Sequence, residues 1–285
     1  MPQLKPSWQL SLTTALVLLA VLLVCRLVRN RWTDVVAGFA QQFAVVMALL
    51  ALWQRVGGLV HTRKDGAMER GRAVYALQGR LHLPDEVALQ AAVLPHPQVV
   101  WFFDTYYAYA HLNGMALFLV WLWWRHREWF SRVRTSVVLL TLTCLLVQIV
   151  PVAPPRLLPA LGFVDTAMVN GRSVYGTFDA GLANQLSAMP SVHVGWAVVV
   201  GWYVWWASPS RWRFVGPLHT VLTVLAVTLT ANHWWLDGIV AAGIFALVVP
   251  VGAVLHRLAA LLREKTRRTG GDVAVPARET APAQA

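Results

Sequence analysis

Long runs of apolar residues alternate with short polar segments along most of this chain of 285 residues. Several runs reach about 20 residues, the length that an α-helix needs to cross the hydrocarbon core of a bilayer. The fold class predicted from this pattern is all-α, a polytopic membrane bundle of about six to seven transmembrane helices. The predicted spans are Leu10–Val28, Val35–Val60, Val99–Trp124, Thr135–Val152, Ser191–Ala207, Val215–Ala231 and Leu236–Leu258.

Composition supports a membrane protein, because 57% of the residues are hydrophobic and only 13% are charged. An ordinary soluble domain carries about twice that charged share. Cys25 and Cys144 both fall inside apolar runs, so no disulfide framework is expected.

The formal net charge of +11 first suggests a nucleic-acid partner. The arginines, however, form short clusters between the apolar runs, which are the topology signals of the positive-inside rule. We therefore predict a multi-pass protein of the cell membrane, with no nucleic-acid partner and with the clustered face in the cytoplasm. The extracytoplasmic face would then carry His61–Gln98, Pro151–Pro190 and Asn232–Asp237.

The predicted organisation has three parts along the chain. Residues 1–34 would form an N-terminal span and a basic turn, and this span lacks a small-residue cleavage site, so it is read as retained. Residues 35–262 would form the main membrane domain, and residues 263–285 a disordered cytoplasmic tail. Within the first outer segment, "LPDEVALQAAV" predicts either a short helix on the membrane surface or a plain connecting loop with some helix.

Two histidines occupy suggestive positions, His193 at the start of the fifth predicted span and His233 at the outer end of the sixth. In "SAMPSVHVGWAVVV", Pro190 and Ser191 precede a helical turn whose free N–H groups suit an anion, and His193 follows at once. In "TANHWWLDGIVAAG", the spacing of His233 and Asp237 places them on one helical face, where the carboxylate would fix the imidazole tautomer. A histidine without chemical function at the interface is the plain alternative for His193.

Two further polar groups lie among apolar residues. Arg156, in "PVAPPRLLPALGFVDT", is placed by prolines on a stiff connection, and its planar fork suits phosphate oxygens. Asp104, Tyr107 and His111 form one helical stripe in the third span. Because charges inside a span are costly, such a stripe indicates a wet cavity, or else a buried structural Asp–His hydrogen bond.

Together, "APPRLLPALGFVDT", "AMPSVHVGWA" and "TANHWWLDGIVAAG" resemble the type 2 phosphatidic acid phosphatase superfamily. The sequence looks nearest to its inositol phosphorylceramide synthase-like branch, of actinobacterial type. The resemblance covers roughly the third to the seventh predicted span.

The resemblance implies an integral membrane phosphatase or phosphotransferase that acts on a lipid phosphate of phospholipid or polyprenyl type through a phosphohistidine, without metal or other cofactor. The alternative within the superfamily is an inositol phosphorylceramide synthase-like headgroup transferase. The resemblance also implies His233 as the nucleophile, Asp237 as its orienting carboxylate and His193 as the general acid. Arg156 and Ser191 would bind the phosphate. We place Asp104, His111 and Arg172 in the substrate pocket as further candidates, and we expect a membrane lipid as the substrate.

The sequence departs from the phosphatase pattern at two cationic positions. Ala226 and Val227 stand where the phosphatases carry Ser-Arg, and Ile149 stands where they carry a lysine. Either Arg156 and Arg172 replace the missing charges, or the substrate carries a different charge. This favours lipid phosphotransferases over simple acid phosphatases.

Two functions of other classes would use the same residues. One is a haem or metal site with His111, His193 and His233 as ligands. The other is a transporter or scaffold that has the fold without catalysis.

Overall fold

The computed structural model describes residues 7–28, 30–62, 65–170 and 185–271. Its regular structure in those ranges is helical, apart from a single parallel bridge between Val152 and Ser187. The α-helices are α1 (Trp8–Val28), α2 (Arg31–Thr62), α3 (Ala67–Arg80), α4 (Glu86–Val93), α5 (Pro97–Arg125), α6 (Arg127–Val147), α7 (Thr166–Val169), α8 (Val192–Ala207), α9 (Val215–Leu229) and α10 (Trp235–Gly271).

Five helices are long and apolar enough to cross a membrane: α1, α2, α6, α9 with the turn before it, and α10. Two more of the predicted spans are also helical but differ in character. The apolar helix α8 has only 16 residues, and α5 has 29 residues but carries Asp104 and His111 in its length. The all-α, multi-pass prediction is therefore confirmed, with five clear spans where about six to seven were expected.

The largest differences between predicted and observed boundaries concern the fourth and the last predicted spans. The fourth span was placed at Thr135–Val152, whereas α6 begins at Arg127 and ends at Val147. The last helix was expected to stop near Leu258, but α10 continues to Gly271, so the first part of the tail predicted to be disordered is helical. The rest of that tail, 272–285, lies outside the described residues.

Helix α8 lies at the centre of the bundle, where it packs against α5, α6, α9 and α10. The core between these helices contains large side chains such as Phe118, Leu140 and Phe245. The approach of α8 to α9 is close because a glycine of each meets the other. A Cβ on Gly216 would lie 2.8 Å from the Cβ of Val204 and 3.0 Å from the carbonyl oxygen of Gly201.

One end of the bundle is covered by the two short helices α3 and α4, which contact α10 and α9 respectively. The segment "LPDEVALQAAV" is helical, as α4 begins after Asp85, whose side chain accepts a hydrogen bond from the N–H of Val87, and its location on the membrane surface stays a prediction. We call this end the site end, because the α6–α7 connection, the N-terminus of α8 and the α9–α10 connection all meet there.

Candidate active site

The start of α8 is fixed by hydrogen bonds at the site end. The Ser191 hydroxyl accepts a hydrogen bond from the N–H of Val194 at 3.2 Å, which makes Ser191 the N-cap of the helix. The N–H of Ser191 in turn donates to the carbonyl of Asp237 at 3.1 Å, so the beginnings of α8 and α10 are joined. Ser191 is fully buried. The structure thus gives it a capping function, and its predicted contact with phosphate stays a prediction.

His193 and His233 are in direct contact. The Nε2 atom of His233 lies 3.2 Å from the Nδ1 atom of His193, within hydrogen-bond distance. His233 comes from the turn between α9 and α10, one residue before Trp234 and two before the first residue of α10. The two imidazoles that the sequence placed on different spans therefore converge on one point.

The other nitrogen of His233 faces two acceptors. Its Nδ1 atom lies 2.8 Å from the carbonyl oxygen of Ala188 and 3.3 Å from Oδ2 of Asp237. The same Oδ2 accepts a hydrogen bond from the N–H of Trp234 at 2.8 Å. Asp237 therefore contacts the imidazole as expected from its spacing, but it shares that function with a main-chain carbonyl and also caps its own helix. With Nδ1–H donating, Nε2 presents its lone pair toward His193.

Burial controls the protonation of His233. Its pKa is lowered to about 4, because removal from water penalises the charged ring and the positive charge of Arg156 acts in the same direction. The hydrogen bond to the Ala188 carbonyl opposes this shift. At neutral pH the ring is therefore an uncharged base, which is the form that a nucleophile requires.

Arg156 is brought beside this turn by its main chain and its side chain. Its N–H donates to the carbonyl of Ala231 at 2.8 Å, and its Nε donates to Oδ1 of Asn232 at 2.9 Å. Its guanidinium also forms an ion pair with Asp165, at 3.8 Å. Arg156 is only 5% exposed. The loop that carries it is joined to the one that carries Ala188 through the bridge between Val152 and Ser187.

The stripe on α5 divides into two parts. The rings of Tyr107 and His111 lie against His193, with centroid distances of 5.0 and 4.2 Å. Asp104 is buried and accepts hydrogen bonds from the Thr166 hydroxyl and the Asn170 amide, at 2.7 and 2.9 Å. His111 thus contacts the candidate acid directly, whereas Asp104 ties α7 to α5.

The metal-site alternative needs three converging ligands. Among the residues that the structure describes, no group of three His, Cys, Asp or Glu side chains could hold a metal ion. His111 packs against aromatic rings, with centroid distances of 4.2 Å to His193 and 5.0 Å to Trp196. Arg172, the remaining predicted pocket residue, lies outside the described residues.

Several residues that shape the site were not singled out from the sequence: Ala188, Asn232, Asp165, Gln78 and Glu86. Asn232 and Asp165 were visible as polar neighbours of the motif residues, next to His233 and within the loop of Arg156. The contribution of Ala188 is a backbone carbonyl, for which a sequence contains no signal. Gln78 and Glu86 act from far along the chain and are described below.

Comparison with known protein families gave a match for this chain. A family model described as the PAP2 superfamily matches residues 72–251, which is more than half of the chain and includes every described candidate residue. Searches of curated proteins and of solved structures gave no match. The family match ends where α10 leaves the core and begins within α3, so α1 and α2 lie outside it. The chain is a multi-pass membrane protein that belongs to the PAP2 superfamily.

Proposed function

We propose that this protein is a membrane phosphatase or phosphotransferase that acts on a lipid phosphate through a phosphohistidine at His233. The observation that carries the proposal is the 3.2 Å contact between Nε2 of His233 and Nδ1 of His193, beside a buried arginine. A nucleophile needs an activating partner, and phosphoryl transfer needs in-line positioning with positive charge around the phosphoryl oxygens.

The proposed reaction has two steps. Nε2 of His233 forms a bond to phosphorus while the bond from phosphorus to the leaving oxygen breaks, and His193 in its imidazolium form gives that oxygen a proton. Water or an alcohol then gives a proton to His193 and attacks phosphorus, which breaks the P–N bond. The two imidazoles lie within hydrogen-bond distance of each other, so the phosphoryl group would enter between them.

The depth of the site suits a lipid. Helix α8 has 16 residues, which corresponds to about 24 Å, shorter than the hydrocarbon core of about 30 Å. His193 in its first turn would therefore lie just inside the headgroup region, if the other end of α8 reaches the opposite interface. The acyl chains of a substrate could stay in the bilayer while its phosphate reaches both imidazoles.

The charge of the site favours a headgroup transferase as the second candidate. Ala226 and Val227 are buried where the phosphatases carry Ser-Arg, and the carbonyl of Val227 accepts hydrogen bonds from the N–H groups of Asn232 and His233. A site with fewer cations suits a phosphodiester, which has one negative charge, better than a monoester with nearly two. An inositol phosphorylceramide synthase-like reaction is of this kind.

The test is a panel of labelled lipid phosphates and phosphodiesters, incubated with purified protein with and without an acceptor lipid alcohol. We expect labelled product from the wild type and none above background from His233→Ala. His96→Ala, an exposed histidine outside the site, should retain full activity. Activity that survives His233→Ala would contradict the phosphohistidine, and an inactive wild type across the panel would favour the transporter or scaffold.

A further inference from the structure

Three amide and carboxylate side chains of α3 and α4 are buried at the site end, behind the turn that carries His233. Gln78, Glu86 and Gln90 are each no more than 3% exposed. Burying such groups is costly unless they are hydrogen-bonded. All three form hydrogen bonds to the main chain of residues 229–236, the segment that contains His233.

Glu86 and Gln78 occupy the N-terminus of α10. The N–H of Trp235 donates to Oε1 of Glu86 at 2.7 Å, and the N–H of Leu236 donates to Oε1 of Gln78 at 2.9 Å. The amide of Gln78 then donates to Oε2 of Glu86 at 2.7 Å. Asp237 accepts from Trp234, so side chains satisfy three successive N–H groups at a helix start, where internal partners are lacking.

Gln90 holds the other side of the segment. Its amide donates to the carbonyl of Leu229, the last residue of α9, at 3.1 Å and to that of Val164 at 2.9 Å. Its carbonyl oxygen accepts the N–H of Val164 at 2.9 Å. Both ends of the turn that presents His233 are therefore fixed from α3 and α4.

We propose that Glu86 and Gln78 are positioning residues for the nucleophile His233, a proposal that rests on the proposed function. They hold the first turn of α10 from outside the bundle and so set the place of His233 and Asp237 relative to His193. They also close the positive end of α10 with a carboxylate, so an incoming phosphate is directed to the N-terminus of α8.

The direction of each hydrogen bond makes the proposal testable. The Leu236 N–H requires the oxygen of Gln78, so the NH₂ of Gln78 must face position 86. Both side-chain oxygens of Glu86 then accept hydrogen bonds, one from the Trp235 N–H and one from the Gln78 amide. A carboxylate can accept both, whereas an amide has only one oxygen. Exchanging the two residues preserves the pattern. A carboxylate at position 78 would accept from Leu236 and from the amide now at position 86, whose oxygen would accept from Trp235.

The experiment compares Glu86→Gln, Gln78→Glu and the double exchange by steady-state kinetics at pH 8. This pH lies above the pKa of Glu86, which burial, Asp237 and Asp85 raise to about 7 against the hydrogen bonds from Trp235 and Gln78. Each single variant should lower kcat about 10- to 100-fold, the usual cost of losing a residue that orients a functional group through a hydrogen bond. KM should stay within about twofold of the wild-type value. The double exchange should return kcat to within about threefold of the wild type.

Asp85→Asn is the matched control. Asp85 caps α4 and accepts the Tyr75 hydroxyl, and within the described part of the chain its side chain forms no hydrogen bond to residues 229–236. Because the asparagine oxygen can still cap α4 and accept the Tyr75 hydroxyl, the substitution should leave both the thermal stability and kcat nearly unchanged. Single variants that keep full kcat, or a folded double exchange as slow as the slower single variant, would overturn the proposal.

Amide hydrogen exchange separates this proposal from the proposed function. The amides of Trp235 and Leu236 should exchange faster in each single variant and slowly again in the double exchange, whatever the substrate. If the wild type is inactive but the variants show this exchange pattern, the proposed chemistry is refuted, while the proposal that Glu86 and Gln78 hold the first turn of α10 stands. Unchanged exchange of these two amides in the single variants would refute the proposal that Glu86 and Gln78 hold the first turn of α10.

Discussion

The imidazole of His233 is oriented by a peptide carbonyl and a carboxylate together. Ala188 is the nearer acceptor, at 2.8 Å against 3.3 Å for Asp237, and the carboxylate also receives the N–H of Trp234. The second oxygen of Asp237, Oδ1, is buried and has no hydrogen-bond partner among the residues that the structure describes. The tautomer of His233 is therefore not fixed by the carboxylate alone.

We expect Asp237→Asn to reduce kcat about 10- to 100-fold, the usual cost of losing one residue that orients a functional group through a hydrogen bond. This is less than the roughly 10⁴-fold loss found where a carboxylate alone sets the tautomer. The asparagine oxygen would replace Oδ2 at the Trp234 N–H, and its NH₂ would take the place of Oδ1, so folding should be preserved. Kinetics on the best substrate of the panel measure this, and a loss as complete as that of His233→Ala would contradict the shared function.

The lowered pKa of His233 predicts that kcat/KM falls at an unusually low pH on the acid side of its pH profile. Because the ring becomes charged only near pH 4, the uncharged form of His233, the proposed nucleophile, stays available as pH falls through the ordinary histidine range around 6.5. We expect kcat/KM, corrected for the ionisation of the substrate itself, to decline only as pH approaches about 4. An enzyme inflection near 6.5 would show that His233 is accessible to water in the working protein.

Apolar runs were sufficient to predict that helices exist, but not where they begin. Helix α6 starts well before its apolar run, within "REWFSRVR". The guanidinium groups of Arg127 and Arg132 lie over the rings of Trp123 and Trp129, at 4.6 and 5.5 Å from their centroids. Charged side chains that rest on aromatic faces can continue a helix into polar sequence, and hydropathy alone does not detect this.

The close crossing of α8 and α9 gives a prediction about stability. Gly216→Ala places a methyl group 2.8 Å from the Cβ of Val204 and 3.0 Å from a backbone oxygen, so the helices must separate. We expect the free energy of unfolding to fall by about 1–3 kcal/mol, the usual cost of overpacking. Thermal unfolding in detergent measures it.

Gly243→Ala is the matched control for this substitution, because among the described residues nothing beyond the neighbouring backbone of α10 itself lies within 4 Å of a Cβ at that position. It should leave stability unchanged or raise it slightly, as alanine is the better helix former. Equal effects of the two substitutions would mean that the crossing is looser than described.

Across the whole molecule, sequence motifs were sufficient to single out side chains that lie together at the candidate site, but not the groups that hold them in place. His193, His233, Asp237 and Arg156 each belong to a short motif, and the structure places them together. The partners of the α10 N-terminus lie 149 and 158 residues away along the chain. Contacts at such separation depend on how α3 and α4 pack on the bundle, and no local pattern encodes them.

The orientation of the molecule remains a prediction from the positive-inside rule. It can be tested with Ala160→Cys, in the loop at the site end, and Ser210→Cys, in the α8–α9 connection, since both positions are exposed. A membrane-impermeant maleimide added to intact cells should label only the first variant. The native Cys25 and Cys144 are buried and give the background. If only Ser210→Cys were labelled, the orientation in the membrane would be the opposite of the predicted one.

The Ala188 carbonyl has a further consequence for how this protein tolerates genetic change. No codon can delete a peptide oxygen, so a saturation library at position 188 would report on the packing of its buried side chain and not on the carbonyl that holds His233, the proposed nucleophile. Substitutions that move the main chain at residue 188 would be the ones that test its carbonyl. Replacing the peptide bond after residue 188 with a thioamide by semisynthesis would weaken that acceptor without altering any side chain.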